Sequence, residues 1–150
     1  MPTANAPDAA VTAQLPPLDV VAWVRLRDGE LLHVRSHGSD AFYIPGGKRE
    51  PGESDTQTLL REVREELGVE LLPDTVTFLT TIVAPAHGRH AGRLVHMACY
   101  CAEPASGATE PAPGAEIAEI RWLRLHDAPQ TAPADQALMA HLARCGLMGP

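Results

Sequence analysis

Three glutamates placed on one turn of a helix constrain this chain more than any other feature in it. Glu62, Glu65 and Glu66 lie in the run Arg61-Glu62-Val63-Arg64-Glu65-Glu66-Leu67-Gly68-Val69. At about 100° per residue, an α-helix gathers the three carboxylates into an arc of roughly 100°. Leu59, Leu60, Val63 and Leu67 fall on the adjoining arc, so an apolar stripe anchors the helix to a core beside a carboxylate stripe. Gly68 suits the left-handed C-cap position. Glu53 and Asp55 stand near the N-terminus, where the helix dipole favours anions. Arg61 precedes Glu65 by four residues and can pair with it and hold its orientation. Like charges at this spacing cost about 0.2–0.5 kcal/mol per pair, so the stripe is either a solvated acidic face or a site for a cation. Magnesium and manganese accept hard oxygen ligands, and magnesium usually combines one or two carboxylates with phosphate oxygens and water.

The residues ahead of the helix favour the second reading. Pro45-Gly46-Gly47-Lys48 is a glycine-rich lead-in; five residues separate Gly47 from Glu53, and seven separate Glu53 from Arg61. From Gly47 to Val69 the glycines, glutamates, arginine and aliphatic positions match the whole signature of the Nudix hydrolases, MutT-like enzymes, and the chain is identified as resembling that family. The signature covers 23 residues, and the surrounding strand pattern fits the family fold from about residue 18 to residue 147. The resemblance speaks strongly to fold and reaction class and weakly to substrate.

What it implies is a divalent-metal-dependent hydrolase, using Mg2+ with Mn2+ as an alternative, that cleaves a phosphoanhydride bond of a nucleoside diphosphate linked to another group. Water attacks phosphorus, metal ions neutralise the pyrophosphate, and a base activates the water. By motif position Glu62, Glu65 and Glu66 resemble the metal ligands, joined by the backbone carbonyl of Gly46. Glu62 is the candidate base if the base lies within the signature. Arg61 and Glu53 resemble residues that orient the ligands, and the two glycines let the backbone approach metal and phosphate closely. A further carboxylate is expected after the signature. Glu116 is placed first, in a loop before a strand pattern, with Glu119 in the strand as the other choice.

Away from the signature, the chain alternates strand and helix patterns. Residues 1–17 are rich in Ala and Pro and read as a flexible tail, leaving residues 18–150 as one Nudix-like domain. Asp19 to Arg27 reads as a strand, and an Asp28-Gly29 turn leads into Glu30 to Arg35, a hairpin signal. Phe42-Tyr43-Ile44 is a short strand, Val76–Val83 and Arg93–Ala102 are longer ones, and Ile117–Leu125 is another. Residues from Pro133 to Arg144 read as a helix with Ala134, Leu138 and Leu142 along one face. Strands mixed with two separated helices give an α/β class, a mixed sheet layered between helices as an α/β/α sandwich.

Charge and composition narrow the partners. The net charge of −7 argues against binding a nucleic-acid polymer, so phosphate must be met by local cations. Lys48 is the only lysine beside eleven arginines and adjoins the glycine pair, where a phosphate contact and a plain surface lysine are both open. No apolar run is long enough for a membrane span, and three cysteines form no disulfide framework, so a cytoplasmic location is expected. The stretch from Pro85 to Arg93 could close over substrate through Arg89 or Arg93, or be a solvated loop. Cys99, Cys101 and Met97 share a strand face and read as buried hydrophobes. Trp23, Trp122, Phe42 and Tyr43 read as core first, with base stacking second.

For substrate, the compact length and Pro45-Gly46-Gly47-Lys48 resemble the MutT-type nucleoside triphosphatases, in which a polar residue near the last helix reads the base, a place Asp135 can occupy. A nucleoside tri- or diphosphate is expected. The alternatives are ADP-ribose or a nucleotide sugar, suggested by Pro85, and a non-catalytic nucleotide sensor on the same fold. A homodimer is compatible with the resemblance, though no interface can be read.

Overall fold

The computed structural model describes residues 15–107 and 110–150. The tail expected over residues 1–17 falls outside the described residues as far as residue 14, and Leu15, Pro16 and Pro17 are exposed. In chain order the elements are β1 (Leu18–Trp23), β2 (Leu26–Arg27), β3 (Glu30–Ser36), β4 (Gly46–Lys48), α1 (Asp55–Leu67), β5 (Thr77–Pro85), β6 (Leu94–Cys101), β7 (Ile117–Leu123) and α2 (Pro133–Arg144). Short 3-10 turns lie at Pro73–Thr75, Gly88–His90 and Leu125–Gln130.

The strands form two sheets rather than the single one expected. One has the order β4-β1-β6-β5, with β1 and β6 parallel and the other neighbours antiparallel. The other is the antiparallel β2-β3-β7. Residues 19–27, read as one strand, divide between them: Val24 N–H reaches back to the Tyr100 carbonyl at 2.8 Å, and the Arg25 carbonyl accepts from Leu32 N–H at 3.0 Å. Both halves are extended and apolar, so the pattern carries no mark of the crossing. The hairpin after β2 turns at Asp28 and Gly29, both at positive φ (52° and 78°), as a type I′ turn requires.

Alternation along β1 explains why helices cover both faces. Val21 and Trp23 pack with Leu59, Val63 and Leu67 of α1. Ala22 and Val24 pack with Leu138, Met139 and Leu142 of α2. The period of two in a strand sends successive side chains to opposite cores, and β6 repeats it, with Met97 and Cys99 on the α2 side and Tyr100 and Ala102 on the α1 side. Trp23 is core, as expected, and its indole N–H donates to the Ala102 carbonyl at 3.0 Å. Trp122 is only partly buried, and the Arg27 guanidinium lies 3.9 Å from its ring centroid.

Helix α1 starts where its sequence says it should. Ser54 is the N-cap: its hydroxyl accepts from Gln57 N–H at 3.1 Å, and the Gln57 side-chain oxygen accepts from Ser54 N–H at 2.9 Å. This is a reciprocal capping box, spelled by Ser-Asp-Thr-Gln at residues 54–57. At the other end Gly68 adopts φ 66° and its N–H donates to the Arg64 carbonyl at 2.9 Å. Among the described residues no helix is long and apolar enough to cross a membrane.

Phe42-Tyr43-Ile44 makes isolated bridges in place of the expected strand, Tyr43 with Val34 and Phe42 with Thr131. The reason lies in Ile44, whose N–H donates to the Asp135 carboxylate at 2.6 Å. A side chain of α2 has taken the position of a neighbouring strand.

Candidate active site

Arg61 organises the acidic face of α1. Its Nε and Nη2 donate to the two oxygens of Glu53, each at 2.8 Å, the bidentate fork that suits a guanidinium to a carboxylate. Its Nη1 donates to Glu62 at 2.9 Å and to Glu65 at 3.3 Å, and Nη2 also reaches the Lys48 carbonyl at 3.1 Å. The expected pairing with Glu65 is therefore present but is the longest of Arg61's carboxylate hydrogen bonds. Glu53 is held down to about 2 by Arg61 first, then by Glu50 N–H, and Thr58 donates to it as well at 3.1 Å. Arg61 is pushed up in return. One cation thus ties the loop, through Glu53 and Lys48, to the helix carboxylates.

The glycine pair brings the backbone against those carboxylates. Gly46 sits at φ 151°, and a Cβ there would stand 2.0 Å from the Val21 carbonyl oxygen. A Cβ on Gly47 would meet the Glu62 carboxylate at 2.5 Å. Gly46 N–H donates to Glu66 at 3.3 Å. Glu66 is pushed up to about 9, by burial first and then by the charge of Glu62 beside it; Gly46 N–H opposes the shift. Burial raises Glu62 too, against the pull of Arg61. Two carboxylates are held together out of water with more negative charge than their surroundings neutralise.

Glu116 and Glu119 separate cleanly. Gly114 N–H donates to the Glu66 carbonyl at 2.8 Å and Ala112 N–H to the Leu67 carbonyl at 3.0 Å, so the loop before β7 is tied to the end of α1. Glu116 lines the same cavity as Glu66, and its charge contributes to raising Glu66. Glu119 instead bonds Arg121 at 2.6 Å and Arg35 at 3.4 Å across the β3–β7 pair.

A cavity of about 940 Å³ runs from Gly46, Gly47 and Glu66 past Lys48 and Tyr43 to Asp135. Arg89 lines it from the 3-10 turn at Gly88–His90. Arg93 does not; its guanidinium donates to the Pro16 carbonyl at 2.6 and 2.9 Å. Glu62 and Glu65 do not line the cavity: Glu62 lies under Arg61, and Glu65 is 57% exposed on the outer side of the helix. Asp135 also lines the cavity and is only 2% exposed.

A residue the sequence did not single out lies beside Asp135. His33 of β3 is fully buried, with Nδ1 3.0 Å from the Leu31 carbonyl and Nε2 3.7 Å from Asp135 Oδ1. A lone histidine in an alternating strand has no spacing signal that could have marked it.

A family model for the NUDIX domain matches residues 15–142. The chain belongs to the Nudix hydrolases. The CTP pyrophosphohydrolase of Escherichia coli K12 is 31% identical over 128 residues, which span 81% of this chain and 88% of that protein. The solution structure of the E. coli ORF135 protein has a TM-score of 0.66 at 29% identity, covering 88% of this chain and 92% of that one. The MutT protein from Methanosarcina mazei Go1 shares the fold, with a TM-score of 0.69 at 19% identity over 89% and 97% of the two chains. As a Nudix hydrolase the protein is an enzyme of pyrophosphate bonds, acting on nucleoside diphosphate derivatives. Nudix enzymes are in general dependent on divalent metals.

Proposed function

We propose that this chain is a magnesium-dependent nucleoside triphosphate pyrophosphohydrolase, with manganese able to replace magnesium. The observation that carries the reading is that one cavity is lined both by Glu66 with the glycine pair and by a buried carboxyl, Asp135. Its volume suits a nucleotide-sized ligand. The similarity to a CTP pyrophosphohydrolase over most of both chains makes a cytosine nucleotide the first candidate.

The residues fit a hard divalent cation. The donors are carboxylates and backbone oxygen, and the burial that raises Glu66 to about 9 is a cost a bound cation would offset. Among the described residues no three acidic, histidine or cysteine side chains already form a closed metal cage. A bound magnesium would draw its ligands together, with substrate phosphate and water completing its shell. Glu62, Glu65, Glu66 and the Gly46 carbonyl are the proposed ligands. When bound, magnesium neutralises phosphate charge and polarises the attacked phosphorus.

The chain's own groups do the rest. Arg61, fixed by Glu53, holds the Glu62 carboxylate in place. Lys48 and Arg89 line the cavity where they can meet phosphate oxygens. Glu62 or Glu116 accepts the proton from the attacking water, and Asp135 faces the base. The test is hydrolysis of a panel of nucleoside triphosphates, diphosphates, ADP-ribose and nucleotide sugars with magnesium and with manganese, products resolved by mass. Release of nucleoside monophosphate and pyrophosphate from a triphosphate, lost in Glu66→Gln, supports the reading. Turnover of sugar-linked substrates alone, or unchanged turnover in Glu66→Gln, overturns it.

A further inference from the structure

The buried pair His33 and Asp135 joins two groups that the site described above does not explain together. His33 Nδ1 lies 3.0 Å from a carbonyl oxygen, that of Leu31. A carbonyl only accepts, so Nδ1 carries the hydrogen and Nε2 of the neutral ring is bare. That Nε2 is buried without a hydrogen-bond partner, and it is aimed at Asp135 Oδ1, 3.7 Å away. Oδ1 already accepts the Ile44 N–H at 2.6 Å. Among the described residues Oδ2 receives no hydrogen bond from another residue, and Asp135 lines the cavity. An unpaired buried nitrogen is costly, and a bare nitrogen facing a carboxylate oxygen is complementary only when one proton lies between them.

We propose that His33 is a positioning residue for Asp135: its Nε2 keeps the pair's proton on the Oδ1 side, so that Oδ2 always presents an acceptor to an exocyclic amino group on the substrate base. This rests on the reading that Asp135 faces the base. Whether the proton sits on Oδ1 or on Nε2, Oδ2 remains an acceptor, and it remains one when the proton leaves. Without His33 the proton of the neutral acid has no acceptor on the Oδ1 side, where Ile44 N–H already points, and it moves to Oδ2, which then donates into the cavity.

The surroundings favour the neutral form of each group. Burial pushes Asp135 up to about 7 and His33 down to about 4. The other ionisable groups facing the pair are Tyr43 and Cys99, both raised by burial and by Asp135, and Asp127, whose charge acts on His33.

The experiment compares kcat/KM for CTP and UTP, which differ by an amino against a carbonyl group at one ring position, between about pH 6 and pH 8. The ratio cancels pH effects common to both substrates. The wild-type ratio favours CTP and stays constant. In His33→Leu it falls about tenfold as pH drops through the Asp135 titration, the worth of one hydrogen bond turned from acceptor to donor. His33→Gln, which retains an acceptor for the proton, restores the constant ratio. Asp135→Asn turns an amide N–H toward the cavity and reverses the preference at every pH. If Asp135→Asn leaves the ratio unchanged, the base-facing reading fails and the proposal with it. A reversed ratio in Asp135→Asn beside a constant one in His33→Leu overturns the role of His33 alone. A readout that needs no variant of His33 is its ring nitrogen-15 shift: Nε2 must respond to Asp135 titration in the wild type and cease to in Asp135→Asn, and an Nε2 indifferent to pH in this range overturns the proposal.

Discussion

Arg61 is where one side chain governs the most chemistry. Its fork holds Glu53 with two bonds while a third nitrogen serves Glu62 and Glu65. Lysine has the charge but not the fork, so Arg61→Lys should lower kcat by about 10- to 100-fold, the range found when a group orienting metal ligands is lost, with thermal stability little changed. A variant with wild-type kcat would show that this network does not orient the catalytic carboxylates. Gly47 gives a separate test. An added methyl would stand 2.5 Å from the Glu62 carboxylate, the movable end of a side chain, so Gly47→Ala should displace that carboxylate and leave the fold intact. A misplacement near 1 Å can cost on the order of 100-fold in rate; we expect a loss of that order in kcat with an unchanged circular dichroism spectrum. That these residues come together was readable from sequence, because helical periodicity and loop length fix their neighbours. The glycines were read as permitting close approach, and the distance to Glu62 gives that reading its physical content.

Helix α1 carries two kinds of information in one segment. Its apolar stripe, Leu59, Val63 and Leu67, is fully buried, while the adjoining arc holds the carboxylates. Its start is set by the Ser54–Gln57 capping box, which lies outside the cavity. Ser54→Ala should therefore cost about 1 kcal/mol of stability, read as a lower denaturant midpoint, with kcat/KM unaffected. A fall in kcat/KM without a fall in stability would mean that the helix start also sets the catalytic geometry. At this scale the long strands and both helices are legible in the sequence. The rest is not legible where a partner from far along the chain decides the outcome. Ile44 looks like a strand residue, yet its N–H goes to a side chain 91 positions away. Residues 19–27 look like one strand, yet they serve two sheets.

Across the whole molecule, the buried groups His33 and Asp135 give stability two opposed dependences on pH. Asp135 rises from 3.8 to about 7 on burial, so the folded protein keeps a proton that the unfolded chain has lost. That contribution is complete below the unfolded value and is gone once pH exceeds about 7. His33 falls from 6.5 to about 4, so the unfolded chain binds a proton the folded protein refuses. Its contribution is complete above 6.5 and is lost as pH falls toward 4. Through the shared window the two slopes oppose each other and nearly cancel. Asp135→Asn should therefore lose stability relative to wild type as pH falls from about 6.5 to about 4. His33→Gln should lose it as pH rises over about 4 to 7, each by on the order of a few kcal/mol at the far end of its window. Thermal melts of the three proteins across that range, at fixed salt, decide it; slopes of the same sign in both variants would refute these opposed burial shifts.

By itself the sequence determined how the Nudix signature is laid out. A helix repeats every 3.6 residues, so the spacing from Gly47 to Val69 places carboxylates, arginine and glycine loop within reach of one another whatever surrounds them. The Asp28-Gly29 turn and the alternating strands were local in the same sense. Tertiary structure alone decided the rest. It brought Glu116 rather than Glu119 to the site, because the loop at Gly114 is tied to the end of α1 while Glu119 meets arginines across β3 and β7. It also buried Asp135 against a histidine from β3 and a backbone N–H from the Phe42–Ile44 segment. Those contacts join residues with no fixed relation in sequence, and their strength comes from the exclusion of water, which exists only once the two cores have closed.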